Sequence, residues 1–149
     1  MLFNNYKEIK NSIQTHENYV IVSKETPLIS NLNIIENISL IKEVHEFMPT
    51  KKASEIAMSY LEKLNLSKIA LYRPVMCNDL EILQVMFLRA VMFKNKNIAI
   101  INPHYLINNL KDIKVIIDAM KMVEGKDLLI LDLLSNEIYY EGCSCRIVR

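Results

Sequence analysis

Two short apolar runs constrain the fold of this chain more than any other feature. They cover residues 97–101 and 128–133, and neither alternates regularly between apolar and polar side chains. Continuous runs of this kind are typical of central parallel strands that are covered on both faces. A helical pattern over residues 109–123 separates them, which predicts two parallel strands joined by a right-handed helical crossover. We therefore expect an α/β fold with a mainly parallel sheet.

Further strand signals lie towards the two ends of the chain. Residues 19–22 form a compact β-branched run, which predicts a third strand. Residues 1–9 are expected to form a short strand or a loop ahead of it. After the second apolar run, residues 137–140 and 146–148 are expected to form short edge strands.

Three helical patterns lie between the third strand and the two apolar runs. Residues 33–47 and 51–64 carry apolar side chains at helical spacing. Asn78 and Glu81 have the spacing of a capping box, which predicts the start of a third helix. We therefore predict a single domain over the whole chain, with an all-helical subdomain inserted at residues 33–75.

Glycine is too scarce for the usual phosphate-binding loops. Gly125 and Gly142 are the only two glycines among 149 residues. A loop that cradles phosphates needs several glycines close together, because its backbone adopts positive φ and approaches the anion without a Cβ. Neither the P-loop pattern nor the dinucleotide fingerprint can be written with these two residues. We therefore expect no self-contained nucleotide site of either type and no bound cofactor.

The composition indicates a globular protein of a reducing compartment. The chain is 51% hydrophobic and 23% charged, and its formal net charge of +1 gives no field that would attract nucleic acid. No apolar run approaches the ~20 residues of a membrane-spanning helix, and the N-terminus does not resemble a signal peptide. The cysteines are Cys77, Cys143 and Cys145, too few for a disulfide framework and without metal-ligand spacing. We expect a cytoplasmic protein with no metal site.

Several segments resemble an ABC-transporter ATPase subunit, from just after its P-loop helix to its end. Residues 28–38 are similar to the family segment that follows the Q-loop, and residues 88–91 to the end of the helix after the signature motif. The distance from Arg89 to Pro103 equals that from the family's arginine to the proline after its catalytic glutamate. The resemblance covers about residues 19–134. It implies a P-loop-NTPase-like, ABC ATPase-like sheet with a helical insertion, in a chain that begins too late to contain the P-loop strand and helix.

The family's catalytic positions fall on residues of different chemistry. In the family's register, the Mg²⁺-binding aspartate falls on Ile101, the catalytic glutamate on Asn102, the switch histidine near Leu133 and the Q-loop glutamine at about Lys24. Isoleucine cannot ligate Mg²⁺, and asparagine cannot take a proton from water. The five signature positions fall on Cys77, Asn78, Asp79, Leu80 and Glu81. The resemblance therefore implies a pseudo-ATPase, in which Asn78 is either a simple helix cap or a contact to a phosphate held by a partner's P-loop.

A catalytically inactive subunit of this family would act by binding. In the family, a helix of the membrane permease docks near the Q-loop, and the matching segment here is about residues 24–33. Its candidate contact residues are Lys24, Leu28, Ile29, Asn31 and Leu32. The expected partners are a membrane permease subunit, an intact ABC ATPase subunit, or both, in a homodimer or heterodimer. The chain would then be cytoplasmic, or peripheral at the inner face of the membrane through its partner.

Other interpretations stay open at the level of sequence. Leu28, Ile29 and Leu32 would equally well seat the helical insertion on the core of the domain. The whole chain could be a free-standing regulatory or interaction protein that retains only the ABC-like fold. A thiol-dependent enzyme built on Cys143 and Cys145 is a third and weaker alternative.

Overall fold

A computed structural model describes residues 1–149 and contains a four-stranded, fully parallel sheet. The strands are β1 (Leu2–Phe3), β2 (Tyr19–Val22), β3 (Asn97–Ile101) and β4 (Leu128–Leu133). Their order across the sheet is β1, β4, β3, β2. The two apolar runs of the sequence therefore form the two inner strands, as predicted, and the strand at residues 19–22 pairs with the same sheet.

Five α-helices accompany the sheet. They are α1 (Tyr6–Ile13), α2 (Ile34–Glu46), α3 (Thr50–Lys63), α4 (Asp79–Val91) and α5 (Ile113–Ala119). Across residues 1–149, no helix combines the length and the apolar character that crossing a membrane would require.

The chain divides into two compact units. The sheet unit consists of Met1–Thr26 and Lys96–Arg149, and the helical unit consists of Pro27–Asn95. The helical unit contains more residues than the insertion that we placed at residues 33–75, because it begins at Pro27 and includes all of α4.

The core of the sheet unit joins α1 to the two inner strands. Ile9 of α1 is buried together with Ile101 at the end of β3 and Leu131 of β4. Phe3 and Ile21 pack against this cluster from the two edge strands. Burial of these side chains stabilises the strands and places the end of β3 in an apolar environment.

The helical unit is built on close contact between α2 and the two other helices. Ala53, Ala57 and Leu61 of α3 are fully buried at a spacing of four residues, which gives α3 a narrow apolar stripe. Ile34 and Ile38 of α2 are fully buried as well. Alanine at two of the three stripe positions allows the backbones of neighbouring helices to approach closely.

Three local predictions are wrong in whole or in part. Residues 1–9 form the short strand β1, which was one of the two expectations, and the start of α1, which was not expected. A strand and a helix therefore lie ahead of β2, although the resemblance implied a chain without the strand and helix of a P-loop. Residues 137–140 belong to a 3-10 segment, Leu134–Tyr140, that turns back over the end of β4, and residues 146–148 form no strand. The long helix predicted over residues 109–123 is shorter, since only Ile113–Ala119 is α-helical.

Candidate functional site at the carboxyl ends of the strands

The carboxyl ends of β3 and β4 bring polar side chains to one edge of the sheet. Asn102 follows β3, and Asp132 is the second-last residue of β4. Tyr6 begins α1 after the two-residue connection that follows β1, and His104 lies in the turn after β3. Open parallel sheets bind their ligands at this edge, so we take these residues as the candidate site.

Asp132 is the buried acidic group of the site. Its side chain is 0% exposed, and three donors surround its carboxylate. The Tyr140 hydroxyl donates to Oδ2 (2.6 Å), while the Asn136 side chain (2.9 Å) and the Leu133 N–H (2.8 Å) donate to Oδ1. Burial, together with this hydrogen bond, raises the pKa of Tyr140 well above its ordinary range. Asp132 is thus used to hold the segment after β4 in place, which is a structural role.

His104 lies between Asp132 and an exposed aromatic cluster. Its Nε2 shares a hydrogen bond with the Tyr6 hydroxyl (3.1 Å), and its Nδ1 lies 3.7 Å from Asp132 Oδ1, too far for a hydrogen bond. The ring of Tyr105 lies 4.0 Å from the His104 ring, centroid to centroid. A hydrogen bond with Tyr105 is the main cause that raises the pKa of the Tyr6 phenol. A phenol with a raised pKa is deprotonated to a smaller extent at neutral pH, so Tyr6 is not an activated nucleophile.

The end of β3 carries Ile101 and Asn102, to which the sequence analysis assigned two of the family's catalytic positions. Ile101 is only 7% exposed and packs in the apolar cluster with Ile9 and Leu131. Asn102 adopts the left-handed conformation, with φ 48°, and its N–H donates to the Leu131 carbonyl (2.9 Å). Its buried Oδ1 has no hydrogen-bond partner. This strand end therefore presents an aliphatic side chain and a neutral amide.

The connection between β1 and α1 has the strand–turn–helix order of a P-loop without its sequence. It consists of Asn4 and Asn5 alone and contains no glycine. The side chain of Asn5 accepts from the Glu8 N–H (3.1 Å), while Glu8 accepts from the Asn4 N–H (3.0 Å) and the Asn5 side-chain amide (2.9 Å). The N-terminus of α1 is therefore occupied by the chain's own carboxylate, which is the charge that a helix N-terminus favours.

Sequence reasoning missed this helix, although a signal was present. Asn5 and Glu8 have the same asparagine-to-glutamate spacing that correctly placed the start of α4. The helix was missed because residues 6–13 show little apolar periodicity, since Ile9 is the only buried residue of α1.

The five residues to which the sequence analysis assigned the family's signature motif lie at the start of α4 and just before it. Asn78 and Glu81 make the predicted capping box: Asn78 Oδ1 accepts from the Glu81 N–H (2.9 Å), and Glu81 accepts from the Asn78 N–H (3.0 Å). Asp79 and Leu80 form the first turn of the helix. Burial raises the pKa of the Cys77 thiol just before it. The Asn78 side chain is thus engaged as a helix cap, with acidic residues in the same turn.

The candidate partner-binding residues are divided between the two units. Lys24 is exposed in the sheet unit, and its ammonium lies 5.5 Å from the Tyr105 ring centroid. The other four lie in the helical unit, where Leu28 is buried, Leu32 is half-buried, and Ile29 and Asn31 are exposed. Leu28 therefore contributes to packing, and the exposed apolar side chain of this loop is Ile29.

Asn37 fixes the shape of that loop and was missed by the sequence analysis. It is 1% exposed, and its side chain accepts from the Ile29 N–H (2.7 Å) and donates to the carbonyls of Ile29 (3.0 Å) and Asn33 (3.0 Å). The signal in the sequence is an asparagine beside Ile34 and Ile38 on the apolar side of a helix, since a buried amide requires partners.

The cysteines give no support to a thiol-dependent enzyme. Cys77, Cys143 and Cys145 are all free thiols. Burial is the main cause that raises the pKa of Cys145, whereas a reactive cysteine has a lowered pKa. Across residues 1–149, no three His, Cys, Asp or Glu side chains are grouped so that they could hold a metal ion.

Solved ABC proteins have a similar fold. One, described as a metal-chelate type ABC transporter in an inward-facing conformation, matches with a TM-score of 0.69 and 13% identity over 88% of this chain and 59% of that chain. Another is the ATP-binding cassette MJ0796, a dimer in a post-hydrolysis state bound to ADP and Pi. It matches with a TM-score of 0.61 and 17% identity over 87% of this chain and 58% of that chain.

These likenesses define the class of fold. The chain has an ABC ATPase-like α/β fold with a parallel sheet, and it spans less than two thirds of the two solved chains. No family model matches the sequence, and no curated protein matches it.

Proposed function

We propose that this chain is a pseudo-ATPase of the ABC type, which binds protein partners in a membrane transport system and does not hydrolyse ATP. The observation that carries the proposal is the connection between β1 and α1. A P-loop binds phosphate through backbone N–H groups at this point of the fold. Here the Glu8 carboxylate already accepts from the Asn4 N–H, and Asn5 caps the helix. A phosphate group would have to displace that carboxylate and would then be repelled by its charge.

The strand ends support the same proposal. Hydrolysis of ATP depends on a metal ion that neutralises the phosphates and on a group that orients or deprotonates water. Ile101 and Leu133 supply only aliphatic side chains at the family's positions, and Asn102 supplies a neutral amide. Asp132 is the nearest carboxylate along β4, and its oxygens already accept from Tyr140, Asn136 and the Leu133 N–H.

The surface of the helical unit supports a role in binding. Large apolar side chains are exposed on it and are available for contact with a partner protein. They include Ile29, Phe47, Leu71, Val75 and Met76. We propose that the partner is a membrane permease subunit or an intact ABC ATPase subunit, and that the chain works at the inner face of the membrane through it.

Calorimetry with ATP and Mg²⁺ tests the loss of nucleotide binding. We expect no binding with a Kd at or below ~100 μM, which corresponds to about −5.5 kcal/mol. An ABC ATPase with an intact P-loop, titrated in the same buffer, shows that the nucleotide and metal are competent. Saturable, Mg²⁺-dependent binding of ATP by this chain alone would contradict the proposal.

A further inference from the structure

The connection between α3 and α4 in the helical unit carries a run of exposed apolar side chains. Val75 is 90% exposed, Leu71 78% and Met76 59%, and Tyr72 is exposed as well. All four lie within residues 71–76, which we call the apolar loop. Such large exposed fractions mean that these side chains project from the loop and do not pack against the helices.

The backbone of the apolar loop is held in place by hydrogen bonds. The Ile34 N–H at the start of α2 donates to the Tyr72 carbonyl (2.9 Å), and the Met76 N–H donates to the Arg73 carbonyl (2.9 Å). Ile69, two residues ahead of the loop, is only 1% exposed and anchors it in the helical unit. The apolar side chains are therefore presented on a fixed backbone, which reduces the conformational freedom lost on binding.

The charges in and beside the apolar loop are all positive. Lys63, Lys68 and Arg73 are the only charged residues between Glu62 and Asp79. Lys68 and Arg73 are exposed, and within residues 1–149 neither forms an ion pair. The formal net charge of the whole chain is only +1, so this is a local excess of positive charge.

We propose that the apolar loop binds directly to an anionic lipid surface. Leu71, Val75 and Met76 would insert among the lipid headgroups, while Lys68 and Arg73 would contact the phosphates. Apolar side chains leave water on insertion, and cations beside them are attracted by negatively charged lipids. Lysine and arginine keep their charged ends at the interface when their stems lie along apolar surface.

The composition and shape of the apolar loop favour a lipid surface over a protein partner. Protein interfaces are depleted in lysine, whereas anionic membranes attract it. Tyrosine, present here as Tyr72, is enriched at membrane–water interfaces. The inference goes beyond the proposed function, in which the chain reaches the membrane through a protein partner. Vesicles without protein test it separately from ATP binding and from partner recovery.

A single tryptophan can report on the apolar loop, because the chain contains none. Val75→Trp places it in the loop, and Val44→Trp places it at an exposed valine of α2 as the matched control. The probe is a vesicle of phosphatidylglycerol and phosphatidylcholine in equal amounts. We expect its addition to shift the Val75→Trp emission to shorter wavelength and to leave the Val44→Trp emission unchanged. No shift at position 75, or equal shifts at both positions, would overturn the proposal.

Co-sedimentation with the same vesicles measures binding of the wild-type chain without a reporter. We expect binding at least about tenfold stronger than to vesicles of phosphatidylcholine alone. Leu71→Ser with Val75→Ser should weaken binding to the mixed vesicles at least about tenfold, whereas Val44→Ser should not. All of these positions are exposed, so the variants should unfold at the wild-type temperature.

The double variant Lys68→Gln with Arg73→Gln tests the charges. Its binding to the mixed vesicles should fall towards the level that the wild type shows on phosphatidylcholine, and added salt should weaken wild-type binding. Equal binding of the wild type to the two kinds of vesicle, or full binding by the double serine variant, would overturn the proposal. A wild-type chain that binds neither kind would also overturn it and leave the apolar loop to a protein partner.

Discussion

At the scale of single residues, Asp132 shows how a buried charge is retained in this protein. A carboxylate without exposure to water is costly unless donors surround it, and the three donors to Asp132 come from residues 133, 136 and 140. All three lie just after it in the chain, so the same carboxylate that needs them also fixes the path of the chain beyond β4. This explains why residues 137–140 leave the sheet and form no edge strand.

Tyr140→Phe should therefore destabilise the protein without creating a cavity. It removes one hydrogen bond to a buried charge, and we expect the free energy of unfolding to fall by about 1.5–3 kcal/mol. Urea denaturation measures this change. Tyr139→Phe is the matched control, since Tyr139 is 37% exposed, and its effect should stay within about 0.5 kcal/mol. Equal stabilities of the two variants would contradict the assigned role of Asp132.

The same variant has a second signature in alkaline solution. The pKa of Tyr140 is raised in the folded protein above the ordinary value of 10.0, so above that pH the unfolded chain loses a proton that the folded chain keeps. The stabilisation that Tyr140 provides is complete below about pH 10 and decreases as the pH rises. The difference in unfolding free energy between wild type and Tyr140→Phe should therefore shrink as the pH rises from about 10 to about 11.

At the scale of secondary-structure elements, three helices begin with the same residue pair. Asn5 and Glu8, Asn33 and Glu36, and Asn78 and Glu81 each place an asparagine side chain on the N–H three residues later. The last two pairs form complete capping boxes. Local side-chain chemistry thus determines where these helices start, whatever the helices later pack against.

Loss of one of these caps should have a moderate and local cost. Asn78→Ala should lower the free energy of unfolding by about 1 kcal/mol, because the Glu81 N–H loses its acceptor. Asn78→Asp keeps an acceptor at the same place and should stay close to wild type. Thermal or urea denaturation of the two variants measures the difference. A destabilisation of equal size in both would indicate that the amide group, and not the cap, matters at this position.

Elements could be predicted from sequence where local chemistry decides them. The starts of α2 and α4 follow from their capping pairs, and β3 and β4 follow from their apolar runs. Residues 1–9 could be predicted only as a short strand or a loop, because β1 has two residues and exists only through pairing with β4. The candidate site was predicted even less completely. Asn102 was singled out, at the position of the family's catalytic glutamate, but the roles of Asp132, Tyr6 and Tyr140 depend on tertiary contacts that carry no local pattern.

At the scale of the whole molecule, the proposed function assigns recognition to the helical unit. The sheet unit holds the ABC ATPase-like parallel sheet, with Ile101 and Asn102 at the end of β3. In the helical unit, Asn37 holds residues 29–33 in one conformation and leaves Ile29 42% exposed. A loop with a fixed backbone and an exposed apolar side chain loses little conformational freedom when it binds.

Ile29 is therefore the residue at which the proposed partner contact is tested most directly. Ile29→Asp should strongly reduce co-purification of a permease or an intact ATPase subunit from native membranes, because a carboxylate would replace a buried apolar contact. Val44→Asp is the matched control on α2, since Val44 is 56% exposed in the same unit. Both variants should unfold at the wild-type temperature.

The double variant Lys24→Glu with Asn31→Asp extends the test to the two polar candidates, which are both exposed. Charge reversal there should also reduce recovery of the partner, identified by mass spectrometry, and the loss should shrink as salt is added, since exposed charges are screened. Unchanged recovery with both Ile29→Asp and the double variant would remove residues 24–33 from the proposed interface. If no transport partner is recovered even with the wild type, a free-standing regulatory protein becomes the better explanation. The chain would then have an ABC ATPase-like fold without being part of a transport complex.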